Sequence, residues 1–300
     1  MKTNNPKVSI IIVNWNGIND SIECLESLKK LTYKNYKIIL IDNGSIDNQA
    51  DKLIKRFPYV KLIKNIVNTG FCFANNQGIK FALKNKADYI LLLNNDTTVA
   101  SNFLDILIDY AEKHSTVGIL SPKINYYYNP DTVWAMGGKM YKFLGIGINI
   151  GKGHKSTQYT NIIEPDFASG CALLVRHEVI TRVGMLDLKY FAYYEDADFC
   201  YRAKKIGYKI STIPQSIVWH KKSASAGLKG KNKFSPLQCY YQTRNTIVFA
   251  KKHLSFYEKI PLVIFTILIR FPYMITHAQN YKCISQILHG FIDGITTTCL

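Results

Sequence analysis

The chain has 300 residues, and its 38 Lys and Arg outnumber its 21 Asp and Glu, which gives a formal net charge of +17 at pH 7. A chain of this length can bury the core of one large α/β domain or of two small ones. The positive charge indicates an anionic partner, such as nucleotide phosphates, nucleic acid or an acidic membrane face. The sequence has no arginine-rich tract and no zinc-finger spacing, which argues against nucleic acid.

The cysteines and the apolar runs indicate the cellular compartment that we expect for the protein. Seven cysteines are scattered without a CxxC pair, so we expect reduced thiols in a cytosolic protein. No secretory signal is visible at the N-terminus. The longest clean apolar run in the C-terminal part, residues 262–269, is shorter than the about 20 residues that span a bilayer, so we expect no transmembrane segment.

The first 100 residues predict buried parallel strands that each end in polar residues. Apolar, β-branched runs at 8–13, 37–41 and 89–93 are typical of strands buried on both faces, and helical spacing between the first two predicts a right-handed βαβ unit. Ligands bind at the carboxyl ends of such strands. The polar residues that follow these three runs are Asn14, Asn16, Asp42, Asn43, Gly44, Asn94, Asn95 and Asp96.

Two carboxylates at this predicted edge are candidates to bind a ligand or a cation. Asp42 is a candidate to accept hydrogen bonds from a base NH or a ribose hydroxyl, and Asp96 to hold a hard divalent cation that also binds phosphate. For both, the alternative is a local turn or cap, with the side chains bonded to nearby backbone. The absence of GxGxxG after the first strand disfavours a dinucleotide-binding enzyme.

The segment before the predicted strand at 89–93 contains a second pattern that is typical of ligand binding. Gly70 permits a tight turn after Asn68, and residues 74–83, which include Asn75, predict a helix whose N-terminus faces the ligand edge. A helix N-terminus there suits a diphosphate. The alternative is plain helix packing, with Phe71 and Phe73 as core residues.

The second half of the chain contains a cluster of acids after a run of aromatic residues. A helix that begins near Glu195 places Asp198 and Arg202 four residues apart, where they can pair, and lets Asp196 point toward a cleft. Like charges and apolar neighbours raise a carboxylate's pKa toward useful base strength. The alternative is the ordinary preference of acids for a helix's first turn. Gly170 allows the backbone to approach a bound sugar closely.

Two C-terminal segments have competing interpretations. The basic, small-residue-rich loop 220–236 resembles a lid that closes over phosphates, or a solvated linker. The stretch from residue 254 onward predicts amphipathic helices that lie on an anionic leaflet, or that pack on the catalytic domain or on another copy.

Together, these motifs resemble the inverting family 2 glycosyltransferases of the GT-A fold, and within them the rhamnosyltransferase-like branch. The matching stretches are 8–17, 42–45, 68–71, 75–79, 93–97, 169–170, 191–202, His220 and 241–245. The resemblance implies a Rossmann-like α/β fold, with a mixed, mainly parallel sheet flanked by helices and a helical amphipathic tail. It divides the chain into a glycosyltransferase domain, 1–253, and a tail, 254–300. The nucleotide-binding half is 1–120 and the acceptor and catalytic half is 121–253.

The resemblance also implies roles for single residues. Asp42 would read the donor's base, and Asp96 would be the main carboxylate of a metal motif whose first Asp is replaced here by Asn94. His220, otherwise a structural histidine, would complete the site for Mn²⁺ or Mg²⁺. Asp196 would be the base of the pair Glu195-Asp196. The other donor-binding residues would be Asn14, Asn16, Asn43, Gly44, Asn68, Gly70, Asn75 and Asn95, and the acceptor or diphosphate contacts Gly170, Asp198, Arg202, Arg244 and Asn245.

The implied activity is a metal-assisted single displacement from a UDP-sugar or dTDP-rhamnose donor to a lipid-linked or surface-glycan acceptor, on the cytoplasmic face of the membrane. The oligomeric state stays open. A sugar nucleotidylyltransferase would need a Gly-rich basic loop after the first strand, which residues 14–17 lack. A non-catalytic glycan- or nucleotide-binding subunit would have no need of Asp96, Asp196 and His220.

Overall fold

The computed structural model describes residues 5–221 and 233–298. Most of the loop that the sequence suggests as a lid, 220–236, lies outside these described residues. The strands are β1 Val8–Asn14, β2 Tyr36–Asn43, β3 Lys61–Asn65, β4 Tyr89–Asn94, β5 Thr97–Val99, β6 Val117–Tyr126, β7 Val133–Ala135, β8 Gly138–Tyr141, β9 Ile146–Asn149, β10 Ala172–Arg176 and β11 Lys209–His220.

Within the described residues, nine strands form one sheet and β8 and β9 form a separate hairpin. The order in the large sheet is β3-β2-β1-β4-β10-β6-β11-β5, and β7 pairs with β6. Strands β1 to β4, β6 and β11 run in one direction, whereas β5, β7 and β10 run against them. This arrangement confirms the mixed, mainly parallel sheet that the sequence predicts.

Helices cover both faces of the sheet. They are α1 Ile18–Leu28, α2 Gln49–Arg56, α3 Phe71–Lys84, α4 Phe103–Lys113, α5 His177–Val183, α6 Glu195–Lys205, α7 Pro236–His253, α8 Phe256–Phe265, α9 Phe271–Thr276 and α10 Lys282–Thr296. Ile10 and Ile12 of β1 pack with α1 and α4, whereas Ile11 packs on the opposite face with α3. Because both faces are covered, the strands are continuously apolar rather than alternating.

The strand directions bring distant polar residues to one edge of the sheet. The last residue of β1, Asn14, pairs with Asp42 of β2, and Val13 beside it pairs with Asn94 of β4. Strand β10 runs in reverse, so its first residue, Ala172, lies at this same edge beside Leu93. The carboxyl end of β11 pairs with the start of β5, where His220 is opposite Thr97.

The tail differs from the sequence prediction. Helices α8 and α9 are joined by a π-helical turn at Thr266–Arg270, so that one unbroken helix, which we call the tail helix, spans Phe256–Thr276. Among the described residues it is the one helix long and apolar enough to cross a membrane, by length and composition alone. The apolar run at 262–269 underestimated its length because the helix continues through Pro261, Arg270 and Pro272.

The tail also packs on the rest of the chain. Leu262, Thr266 and Met274 of the tail helix are buried, and Cys283 and Ile287 of α10 pack with Cys239 of α7. Other apolar side chains of the same helices face outward: Ile260, Val263, Ile264, Ile267, Leu268, Ile284, Leu288, Ile292 and Ile295. The tail is therefore amphipathic, with one face on the protein and an uncovered apolar face.

Candidate functional site

Asp42 is fixed in place by its neighbours at the end of β1. Asn14 Nδ2 donates to Asp42 Oδ1 and to Ser45 Oγ, each at 2.9 Å, and Ser45 N donates to Asp42 Oδ2 at 3.3 Å. Asn16, in the loop after β1, is bonded to the loop after β2, because its Oδ1 accepts from Ile46 N at 3.0 Å. The two asparagines and Asp42 thus form one hydrogen-bonded group at the sheet edge, as the motif spacing predicts.

Asn95 connects this group to the acidic residue that follows it. Its Nδ2 donates to Ser21 Oγ at 3.0 Å and to Gly17 O at 3.3 Å, and Ser21 Oγ donates to Asn14 Oδ1 at 2.8 Å. A Cβ on Gly17 would lie 2.6 Å from Asn95 Nδ2, so a side chain at position 17 would displace the Asn95 amide. Asn95 thereby fixes the turn that carries Asp96.

A second loop is held by Asn43, which is buried. Its Oδ1 accepts from Thr69 N at 3.1 Å and from Thr69 Oγ1 at 2.8 Å, and its Nδ2 donates to Asn68 Oδ1 at 2.9 Å. Gly44 and Gly70 both have positive φ, at 78° and 85°. A Cβ on Gly70 would meet the Phe191 ring at 2.5 Å, so this turn packs directly on the segment before α6.

Helix α3 begins one turn earlier than predicted, at Phe71, whose N–H donates to Phe191 O at 2.7 Å. Asn75 is therefore inside the helix rather than near its start. It is buried, and its Nδ2 donates to Phe71 O at 2.9 Å. Asn75 thus has a structural bond within α3, and its donor contact stays a prediction.

Asp96 and His220 meet at the centre of the edge. His220 Nε2 lies 3.1 Å from Asp96 Oδ1, and both side chains are buried. Burial opposes protonation of the imidazole, but the neighbouring Cys171 and Asp96 raise the pKa of His220 above its usual range. Its Nδ1 is buried without a hydrogen-bond partner among the described residues. Trp134 packs edge-on against the ring, with centroids 4.7 Å apart.

This pair fits a divalent cation that shares its coordination with a ligand. The described residues contain no group of three or more His, Cys, Asp or Glu side chains that would enclose an ion. Mg²⁺ in nucleotide sites keeps waters and phosphate oxygens and uses only one or two protein ligands. Two adjacent ligands about 2.1 Å from an octahedral ion lie about 3 Å apart, which is close to the 3.1 Å between Nε2 and Oδ1.

Glu195 and Asp196 open helix α6 in contrasting environments. Asp196 Oδ2 accepts from Gly170 N at 3.0 Å and its Oδ1 accepts from Ala197 N at 2.8 Å. Glu195 Oε2 is buried and has no hydrogen-bond partner among the described residues. Burial raises the pKa of both acids, and burial together with the nearby Asp196 carboxylate raises the pKa of Glu195 to about 8. The backbone N–H groups of Gly170 and Ala197 lower the pKa of Asp196 against the larger effect of burial, whereas Glu195 Oε2 has no such partner among the described residues.

One cavity of about 760 Å³ connects these groups. His220 and Asn94 line one part of its wall, and Gly170, Glu195 and Asp196 line another. The wall also includes Phe265, Ile269, Arg270, Tyr273 and Met274 of the tail helix. Asp96 is not part of this wall among the described residues, and its link to the cavity is its contact with His220. Among the described residues the wall includes neither Asn14 nor Asp42, which lie along the sheet edge beside it.

Asp198 and Arg202 pair as predicted, but away from the cavity. Arg202 Nε donates to Asp198 Oδ2 at 2.8 Å, while Lys252 and His253 of α7 contact Asp198 Oδ1. The side chain of Asp198 is 0% exposed, and Arg202 also donates to the carbonyls of Val183 and Met185. The structure thus gives these two residues a structural role, in place of the acceptor or diphosphate contact that the resemblance implies.

Arg244 and Asn245 hold the backbone before α6 and do not contact the cavity among the described residues. Asn245 Nδ2 donates to Ala192 O and Tyr193 O, each at 2.8 Å, and Arg244 Nη1 donates to Lys189 O at 2.7 Å. Both residues thus hold the segment that leads to Glu195, and their acceptor or diphosphate contact stays a prediction. The sequence reasoning missed Arg270. In the sequence, Arg270 is a single cation in an apolar stretch and marks only the end of the apolar run 262–269.

Comparisons with known proteins identify a matching family and similar sequences. The model of a family described as Glycosyl transferase family 2 matches residues 9–182, from β1 to α5. An N-acetylglucosaminyl-diphospho-decaprenol L-rhamnosyltransferase of Mycobacterium tuberculosis (strain CDC 1551 / Oshkosh) is 28% identical over 260 residues, which are 79% of this chain and 82% of the relative. The dTDP-rhamnosyl transferase RfbF of Shigella flexneri is 25% identical over 300 residues, 97% of this chain and 96% of the relative.

Solved structures share the fold at low sequence identity. GalNAc-T7, solved with UDP, GalNAc and Mn²⁺, superposes with a TM-score of 0.67 at 17% identity over 92% of this chain and 59% of its own. S. aureus TarS 1-349 gives a TM-score of 0.60 at 14% identity, over 97% of this chain and 81% of its own. These likenesses confirm a GT-A-type α/β fold.

Proposed function

The chain belongs to glycosyl transferase family 2 and is a glycosyltransferase with rhamnosyltransferase relatives, and from this premise we propose that it inverts the anomeric centre of the sugar that it transfers. The observation that carries the proposal is the cavity whose wall includes both Asp196 and His220, with Asp96 bonded to His220 behind that wall. Both oxygens of Asp196 accept from backbone N–H groups, which favour its ionised form, whereas burial and the neighbouring Asp196 raise the pKa of Glu195. This set suits one displacement with a base.

In the proposed reaction, Asp196 Oδ2 or Oδ1 accepts the proton of the acceptor hydroxyl as that oxygen attacks the anomeric carbon. The bond between that carbon and the donor's diphosphate oxygen breaks, and the nucleoside diphosphate leaves. Asp96 and His220 would hold Mn²⁺ or Mg²⁺, which when bound neutralises negative charge on the diphosphate. Asp42 and Asn14, which are hydrogen-bonded to each other, would contact the base and ribose.

The donor that we propose is dTDP-rhamnose or a related deoxysugar nucleotide, with a UDP-sugar as the alternative. The relative from Shigella flexneri is a dTDP-rhamnosyl transferase, and this chain matches it over nearly its whole length. This similarity supports the choice of dTDP-rhamnose. The proposed acceptor is a lipid-linked glycan, because the relative from Mycobacterium tuberculosis acts on a diphospho-decaprenol. The Mn²⁺ in the solved structure of GalNAc-T7 supports the use of a divalent cation.

We also propose that the protein acts on the cytoplasmic face of a membrane as a peripheral protein. The tail helix is long enough to cross a bilayer. However, its Arg270 donates to Gly145 O at 2.8 Å, and Leu262, Thr266 and Met274 are buried on the protein. A helix tied to the catalytic domain along one face, with an apolar opposite face, suits a position in the membrane interface rather than across it.

A donor screen tests the proposal. The purified full chain is incubated with nucleotide sugars, Mn²⁺ and a polyprenyl-diphosphate-linked sugar, and the released nucleoside diphosphate and the product's anomeric configuration are measured. We expect turnover with one deoxysugar donor, inversion, and loss of activity in EDTA. Retention of configuration, or full activity in EDTA, would contradict the mechanism. Binding of nucleotide diphosphates without turnover of any donor would favour a non-catalytic subunit.

A further inference from the structure

The turn before α6 has an unusual backbone. Tyr193 and Tyr194 adopt φ of 68° and 73°, so two successive residues with large side chains lie in the left-handed region. This region is strained for such residues and persists only where surrounding contacts impose it. Glu195 follows at once as the first residue of α6, so the direction of the two acids depends on this turn.

Two side chains from later in the chain impose the conformation. Asn245 of α7, which is fully buried, donates to both Ala192 O and Tyr193 O. The Tyr194 hydroxyl donates to Gly145 O and lies 2.8 Å from Thr246 Oγ1. The carbonyls of Ala192 and Tyr193 are thereby held by α7, and the hydroxyl of Tyr194 is held by α7 and by the loop before β9.

Arg270 of the tail helix completes this set. Its Nη1 donates to Gly145 O at 2.8 Å and to the Tyr194 hydroxyl oxygen at 3.2 Å, and its Nη2 donates to Gln242 O at 3.1 Å. Arg270 ends the π-helical turn, whose residues Ile267 and Leu268 face outward while the guanidinium faces the protein. π-turns inside α-helices often occur at functional sites. The cation thus points inward from a helix whose outer face is apolar.

We propose that Asn245 and Arg270 are positioning residues for the catalytic acids, so that the tail helix is a required part of the active site. They hold the Ala192–Tyr194 turn, and that turn places Asp196 at the cavity. This inference rests on the proposed base role of Asp196 and assigns a function to residues outside the stretch that the family model matches, 9–182.

Kinetics of the full chain test the proposal. We expect R270A and N245A to lower kcat tenfold or more while the KM for donor and for acceptor changes less than about twofold, and R270K to restore part of the loss. Because both residues act on one turn, the double variant R270A/N245A should be no slower than the slower single variant. The matched control is K282A, which removes one exposed positive charge of the tail that has no ion pair among the described residues.

Two kinetic outcomes would overturn the proposal. Multiplication of the two losses in the double variant would show that the residues act independently. A raised acceptor KM with unchanged kcat in R270A would show that Arg270 binds the acceptor instead.

A readout without catalysis separates this inference from the proposed function. Hydrogen exchange of the backbone amides at 193–197 should quicken in R270A and N245A but not in K282A. If exchange is unchanged in both variants, the positioning role is refuted even in an active enzyme. If wild-type enzyme transfers no sugar but exchange quickens as expected, the proposed function fails while the positioning of the turn stands.

Discussion

At the scale of single residues, the site depends on two adjacent acids that differ in their hydrogen bonds. Both oxygens of Asp196 accept from backbone N–H groups, whereas Glu195 Oε2 is buried without a partner among the described residues. The sequence predicts that the pair lies at a helix start and favours Asp196 as the base. It cannot show the reason for the difference, because Gly170 N, which stabilises the charge on Asp196, is 26 residues away in the chain.

The base role predicts a large kinetic effect of one substitution. D196N keeps the shape of the side chain but removes its ability to take a proton, so turnover should fall at least about a hundredfold. Binding of the nucleoside diphosphate, measured by titration calorimetry, should stay within about threefold of wild type. D166N, which alters an acid outside the cavity wall described, is the control. Unchanged turnover in D196N would remove it from this role.

The raised pKa of Glu195, about 8, has a consequence for stability. Between the usual value near 4.5 and about 8, the folded state binds a proton that the unfolded state has released, so stability falls as pH rises through this window. E195Q removes the titration and should therefore raise Tm by about 3 °C or more at pH 8.5 relative to wild type, with a much smaller gain at pH 4. An equal change in Tm at both pH values would contradict this account.

At the scale of elements, the packing of α6 on α7 was partly predictable. The spacing of Asp198 and Arg202 predicts their ion pair, but Lys252 and His253 come from a helix more than 50 residues later, and only the fold brings them to Asp198. These partners hold the pKa of Asp198 well below its usual range against the opposing effect of burial. Likewise, α3 begins at Phe71 rather than at the predicted residue 74, because the carbonyl of the distant Phe191 accepts a hydrogen bond from the Phe71 N–H.

Breaking the cluster should destabilise the protein. D198N leaves buried positive charge uncompensated and should lower the free energy of unfolding by about 3–5 kcal/mol at pH 7, measured by urea titration. The stabilisation is fully present above the usual Asp pKa and is lost only as pH falls toward the much lower folded-state pKa, so the difference between wild type and D198N should narrow between about pH 5 and pH 3 without closing. The control is D109N, which breaks the exposed Lys113–Asp109 pair and should cost less than about 1 kcal/mol. A similar loss for both variants would contradict the assignment.

At the scale of the whole molecule, residues of the sheet and of the tail helix line one cavity. The hydrophobic runs predict the sheet and its ligand edge, because buried parallel strands have a strong pattern. The division at residue 253 is less useful, since the cavity wall includes five tail-helix residues. The sequence alone could not show this, because a stretch of apolar residues with one Arg does not reveal which face packs on the protein.

The outward apolar face predicts membrane binding. I264D/L268D alters two exposed positions, so the fold should persist, and co-sedimentation with vesicles containing anionic lipid should fall at least about fivefold. I206D, at an exposed position just after α6, is the control and should sediment as wild type does. Wild-type protein that stays in the supernatant with anionic vesicles would refute the peripheral membrane role.

The most direct test of the central claim is a crystal structure of the full chain with Mn²⁺ and the intact donor, with the metal located by anomalous scattering. We expect the ion in contact with Asp96 and His220, and the sugar's anomeric carbon in the cavity beside Asp196. An ion bound elsewhere, or a sugar outside the cavity that contains Asp196, would contradict the account.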